Sequence, residues 1–290
     1  MALVSTSLAL VATGALTATT SSAASATEAG VSAAAPRLTR VHVARDHSIT
    51  MPKHLRPGAH KFVVRSARSA GFQLATAKPG YTKREAVRDV NRGLNAGKVR
   101  ALKRFERNIT LIGGVPSRKG NPGVMWLDLE PGTYWALDTN ARRSRANDVL
   151  TVRVGGREIA GSFKRGSVVR AINAVDWGKR PRSIPANGRL TFRNDSTDNH
   201  FVIISKLADG KTMKDVRTWI RQAKKGNEGP PPLDFSAPEV DTGVVSPGEQ
   251  MTQKYQLSKG RHVLICFWPD ADMGGMPHAF MGMYRKIVVR

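Results

Sequence analysis

Apolar positions along this chain fall in short runs that alternate with polar residues and are broken by glycine and proline. Lys61-Phe62-Val63-Val64, Phe72-Gln73-Leu74, Arg189-Leu190-Thr191-Phe192 and Phe201-Val202-Ile203-Ile204 read as strands. Further strands are predicted near Leu127, Tyr134–Ala136, Tyr255–Leu257 and His262–Cys266. Between the runs lie two helix starts. Thr82 with Glu85, and Thr212 with Asp215, stand at capping-box spacing. After the second start, Val216, Trp219, Ile220 and Ala223 share one helical face. Loops rich in glycine and proline follow, including Gly229-Pro230-Pro231-Pro232.

The pattern repeats. Asp46, Gly58, Phe62, Ser66, Gly80, Thr82, Gly113 and Val115 recur 130 residues later as Asp176, Gly188, Phe192, Ser196, Gly210, Thr212, Gly243 and Val245. A shift of two residues then matches Leu129 and Gly132 to Leu257 and Gly260. Short strands, Gly/Pro turns and one inserted helix per copy predict an all-β protein of two tandem β-sandwiches. The copies span residues 37–155 and 156–290, with the boundary at Gly155-Gly156.

Composition adds two points. The formal charge is +24 and the isoelectric point about 11, with basic residues spread along the whole chain. Such a surface suits anionic cell-envelope polymers, lipid headgroups or an acidic protein partner. Nucleic acid is not predicted as a partner, because aromatic residues make up only 6% of the chain and no nucleic-acid-binding module is present. The first residues form an Ala/Leu/Val/Thr/Ser run ending at Ala24-Ser25-Ala26, a small-residue cleavage pattern. Residues 1–36 are therefore read as a signal peptide and flexible leader, although no Lys or Arg precedes Arg37. Later segments never reach the apolar length needed to span a bilayer, so the mature chain is expected to be soluble. The leader makes the expected location secreted or extracytoplasmic.

The densest chemistry lies near the C-terminus. Cys266, the only cysteine, is followed by Phe267-Trp268-Pro269, Met273, Met276, His278, Phe280, Met281 and Met283. A lone thiol cannot form an intramolecular disulfide, and thiolate, imidazole and thioether together suit copper. A second histidine, His200, follows Asn194-Asp195-Ser196-Thr197-Asp198-Asn199 and opens a strand. In a sandwich these segments can converge at one end, giving a candidate mononuclear copper site. The first copy has Ala70 and Asp138 at the offsets of His200 and Cys266, so it is expected not to bind copper in this way.

The second copy resembles bacterial cupredoxin-like domains of the plastocyanin/azurin superfamily. The matching stretches are Asn194 to Ile204, Leu207 to Thr212, Thr242 to Val245 and Cys266 to Met283. The resemblance implies a Greek-key sandwich and copper held by His200, Cys266, His278 and Met283, with Met281 as the rival axial thioether. Phe267, Trp268 and Phe280 would supply the apolar shell. Eleven residues separate Cys266 from His278, more than in plastocyanin-like loops.

Three functions compete at this level. The first is an exported type 1 copper protein that carries electrons to an acidic partner. The second is Cu(I) storage or delivery through the methionine-rich loop. The third is a metal-free module that binds the cell envelope. An enzyme is not expected: the histidines form no H-x-H pair of the multicopper oxidase kind. A thiol that ends an apolar strand also makes a poor protease nucleophile. His42 and His47 offer a weak accessory metal pair in the first copy.

Overall fold

Period-two burial builds the sheets. In Arg37–Val43 the inward side chains are Thr39, Val41 and Val43, and the polar or basic residues between them face out. The computed structural model describes residues 34–141, 145–179, 181–227 and 229–290. Residues 1–33 of the expected leader lie outside that set.

The expected all-β sandwich is observed. One eight-stranded sheet runs in the order Asp176–Trp177, Ser167–Asn173, Asn187–Asn194, Gln250–Gln256, Gly123–Leu129, Gly58–Ser66, Arg37–Val43, Ile49–Thr50. Its first four strands come from residues 167–256 and its last four from residues 37–129, in mirrored order. Two five-stranded sheets pack against it, also in matching order. One runs His54–Leu55, Leu150–Val154, Gly132–Asp138, Ala70–Ala77, Ile109–Ser117. The other runs Ser183–Ile184, Tyr284–Val289, Gly260–Ile265, Ile203–Lys206, Val240–Asp241. Phe62, Met125, Phe192 and Met251 from the large sheet join Phe72, Leu74, Ile204, Leu264 and Ile287 from the smaller ones in one continuous core.

The two halves meet through the antiparallel pairs Thr252–Trp126 and Gln253–Met125. The Arg189 guanidinium lies 4.1 Å from the Trp126 ring centroid, over this seam. A second junction is made by a side chain. Buried Gln73 accepts a hydrogen bond from Val244 N at 2.9 Å and donates one to Val244 O at 3.0 Å. Beside it, Gly243 N donates to Gly114 O at 2.8 Å. A Cβ on Gly243 would lie 2.2 Å from Gly114 N, so only glycine allows this approach.

Both capping boxes form, at Thr82 with Glu85 and at Thr212 with Asp215. The second opens the helix Met213–Ala223, whose buried Val216 and Ile220 pack with Val263, Ile265 and Ala279. The helical insert of the first half is longer than the sequence reading gives. Lys83–Val90 passes into a wide turn over Asn91–Asn95, and a further helix, Val99–Asn108, follows Gly97, whose φ is +61°. Ala101, Leu102 and Phe105 form its buried face, at i, i+1 and i+4, diluted in sequence by the basic residues around them. Among the described residues no helix is long and apolar enough to cross a membrane.

Replacing Gln73 with alanine strips the Val244 amide and carbonyl of their partners at this buried junction. The expected loss is about 1–3 kcal/mol of stability, read as a lower midpoint in a urea or thermal melt. No change would show that the seam does not depend on this side chain.

Candidate metal centre

Backbone hydrogen bonds fix three segments at one end of the second half. Asn194 Nδ2 donates to Asp198 O and to Val245 O, both at 2.7 Å, and Asn194 Oδ1 accepts from Ser196 N and Oγ. This buried asparagine holds the loop that presents His200, and His200 is bridged to Val245 by hydrogen bonds of 3.1 and 2.8 Å. Cys266 directly follows the strand Gly260–Ile265, and its amide donates to Met283 O at 3.2 Å. His278 opens a short 3₁₀ turn. Its amide donates to Trp268 O at 2.9 Å, and its carbonyl accepts from Met283 N at 3.0 Å. Gly282, at φ +109°, closes that turn in the left-handed region.

These constraints bring three donors together. Cys266 Sγ lies 3.7 Å from His200 Nδ1 and 3.8 Å from His278 Nδ1, and the two nitrogens are 3.0 Å apart. All three residues are 0% exposed. Metal–nitrogen and metal–sulfur bonds run at about 2.0 and 2.3 Å, and a point about 2.0 Å from both nitrogens in the donor plane falls about 2.1 Å from the sulfur. The triangle therefore fits one metal ion without rearrangement, and thiolate plus two imidazoles is a copper-type donor set.

Met283 is 0% exposed and its backbone is bonded to both Cys266 and His278, whereas Met281 is half-buried on the turn. Trp177 walls the site, its ring centroid 6.5 Å from that of His200. Met273 projects into solvent and is 57% exposed.

Burial sets the protonation states. It pushes the Cys266 thiol up to about 12. It pulls His200 down to about 3, helped by His278, and His278 down to about 4 against the opposing pull of Asp270. Near neutral pH, without metal, the site therefore holds a thiol and two neutral imidazoles. Both Nε2 atoms are buried without a hydrogen-bond partner.

The corresponding place in the first half is filled differently. Asp138, at the offset of Cys266, is buried and accepts from His47 Nδ1 at 2.8 Å, Gly71 N at 2.8 Å and Asn140 N at 3.0 Å. Arg68 stacks its charge on the same His47–Asp138 pair. His47 is thus turned inward onto a carboxylate, while His42 faces solvent, so the two do not form a pair.

Sequence reasoning missed what the first half adds here. Glu106, on the helix Val99–Asn108, accepts a 2.7 Å hydrogen bond from Trp268 Nε1, and Lys103 of the same helix pairs with Asp272 at 2.5 Å. Trp268 is therefore an anchored donor as well as part of the apolar shell. No local signal in a basic helix marks Glu106 for this contact.

No family model matches the chain, and no curated protein matches it. Among solved structures it is similar to auracyanin B, with 20% identity over 46% of this chain and 93% of that one, at a TM-score of 0.29. It is also similar to Na-dithionite reduced auracyanin from the photosynthetic bacterium Roseiflexus castenholzii, with 19% identity over 44% and 99% of the two chains and a TM-score of 0.27. A third is auracyanin A, a "blue" copper protein from the green thermophilic photosynthetic bacterium Chloroflexus aurantiacus, with 15% identity over 42% and 96% and a TM-score of 0.27. Each likeness takes in less than half of this chain.

Glu106 carries a testable pH dependence. Burial raises its pKa to about 7, against the lowering effect of the Trp268 hydrogen bond. A folded pKa above the unfolded one means that ionising Glu106 costs stability as pH rises through about 7. Glu106→Gln keeps an acceptor for Trp268 and removes that cost. Its melting temperature relative to wild type should be higher above about pH 8 than below about pH 5, by the equivalent of roughly 1–2 kcal/mol after allowance for partial exposure. A pH-independent difference would contradict this environment.

Proposed function

We propose that this is an exported mononuclear copper protein of the type 1 kind, whose role is electron transfer. Copper would be held by His200, Cys266 and His278, with Met283 supplying the thioether donor. The observation that carries the reading is the buried triangle of one sulfur and two Nδ1 atoms with sides of 3.7, 3.8 and 3.0 Å. A copper ion bound there would cycle between Cu(I) and Cu(II).

The chain's own residues define how such a site would work. Cys266 must give up its proton to bind, whereas the imidazoles present lone pairs already. The loops carrying His200 and His278 are tied by Asn194, Trp268 and Met283, so the donors need not reorganise when the metal charge changes. Trp177, Trp268 and Met283 exclude water. Phe267, next to the ligand thiol, meets the Trp219 ring edge-on at 6.2 Å, beside a cleft that includes Lys211 and Lys214. That pair offers an aromatic route to a basic surface, and the net charge of +24 would favour an acidic redox partner.

In this reading residues 156–290 form the copper-binding domain. Residues 37–155 form a degenerate copy in which the Asp138–His47–Arg68 cluster takes the place of the metal, and which supports the ligand loop through Glu106 and Lys103. Residues 1–36 are the export leader. A second reading, Cu(I) delivery, is favoured by Met273, a thioether that is 57% exposed on the same loop.

Adding Cu(II) to the purified protein should produce an intense visible thiolate-to-copper band that Cys266→Ser abolishes. No band, with Cu(I) retained in stoichiometric amount, would favour delivery. No copper retained in either state would overturn the metal reading and leave an envelope-binding scaffold. Loading near neutral pH should also release about one proton per copper, from the Cys266 thiol and none from the histidines, measured by indicator dye or by calorimetry in buffers of different ionisation enthalpy. Release of two or more protons would show that the imidazoles are not neutral beforehand.

A further inference from the structure

We propose that the protein has a second metal site, for a hard divalent cation of the Mn²⁺ class, formed by Asp198, Asp270 and His278. His278 is common to both sites. Oxygens of Asp198 and Asp270 and one ring nitrogen of His278 all lie within 4.8 Å of one another. Two observations make this more than an acidic cluster. His278 is 0% exposed and its Nε2 is buried without a hydrogen-bond partner, while its Nδ1 faces His200 and Cys266. The unpartnered Nε2 is assigned to the second site. In addition, among the described residues neither Asp198 nor Asp270 has a Lys or Arg partner, in a protein of net charge +24. The nearby cation, Lys103, is engaged by Asp272 instead.

The chemistry selects the ion. Two carboxylates and one imidazole suit Mn²⁺ or a similar oxygen-seeking divalent cation, while the thiolate site beside it selects a soft one. Asp270 is held in place because its Oδ1 accepts from Asp272 N at 2.7 Å and Met273 N at 2.9 Å. Asp198 sits in the loop fixed by Asn194. Glu106, held by Trp268 Nε1, feels the charge of both aspartates.

The aspartates and His278 are present whether or not copper is the physiological metal, so this inference stands apart from the reading above. The test is an electron paramagnetic resonance titration of the full-length protein with Mn²⁺, following loss of the free-ion signal. The wild type should bind one Mn²⁺ per chain, and Cys266→Ser should bind it equally well. The double variant Asp198→Asn/Asp270→Asn should bind at least about tenfold more weakly. Asparagine keeps the Oδ1 acceptor of the Asp270 turn, and an unchanged metal-free melting curve would show that the variant folds. If it does not fold, Asp198→Asn alone decides, since it leaves that turn untouched. Absence of stoichiometric Mn²⁺ binding, or equal binding by the aspartate variants, overturns the proposal. Loss of binding in Cys266→Ser as well would place the ion in the Cys/His site and overturn it too.

Discussion

Burying a thiol and two imidazoles against one another is the constraint around which the second half is arranged. Cys266, His200 and His278 are fully excluded from solvent, and the outer nitrogen of each imidazole has no partner. Such an arrangement is unfavourable unless the surrounding structure fixes it, because buried polar atoms without hydrogen bonds cost about 1–3 kcal/mol each. Asn194 ties the His200 loop to Val245, and the Trp268 and Met283 backbones tie the His278 turn to the Cys266 strand end. A bound metal would satisfy the Nδ1 atoms and the sulfur together.

The first half solves the same packing problem with charge. Where the second half places Cys266, it places Asp138, and the pocket closes on His47, Arg68 and two backbone amides. A carboxylate in that position is stabilised by donors already present in the chain. The halves are nonetheless interdependent. They share an eight-stranded sheet, one core and the Gln73–Val244 junction, and the first half sends Glu106 and Lys103 onto the ligand loop of the second.

Much of this was legible in the residues. Alternating runs such as Lys61–Val64 and Arg189–Phe192 gave the strands, because a half-buried strand must alternate. Thr82/Glu85 and Thr212/Asp215 gave the helix starts, because orphan amides need local acceptors. The convergence was legible from His200 opening a strand, Cys266 ending one and His278 lying on the loop that follows. Other features had no local signature. Leu102 and Phe105 define the helix Val99–Asn108, but the charges around them blur its periodicity. The central seam rests on only two paired positions, Thr252–Trp126 and Gln253–Met125. Glu106, Asp198 and Asp270 come together only through tertiary packing of segments about 90 and 70 residues apart along the chain. Burial and backbone bonding also distinguish Met283 from Met281, a difference that spacing does not carry.

The central claim is that one sulfur and two imidazole nitrogens converge on a single copper ion. Copper K-edge X-ray absorption of the copper-loaded full-length protein tests it most directly. The account predicts a short copper–sulfur path of about 2.1–2.3 Å together with two imidazole-type nitrogen scatterers near about 2.0 Å. A first shell made only of oxygen and nitrogen, with no short sulfur path, would contradict it.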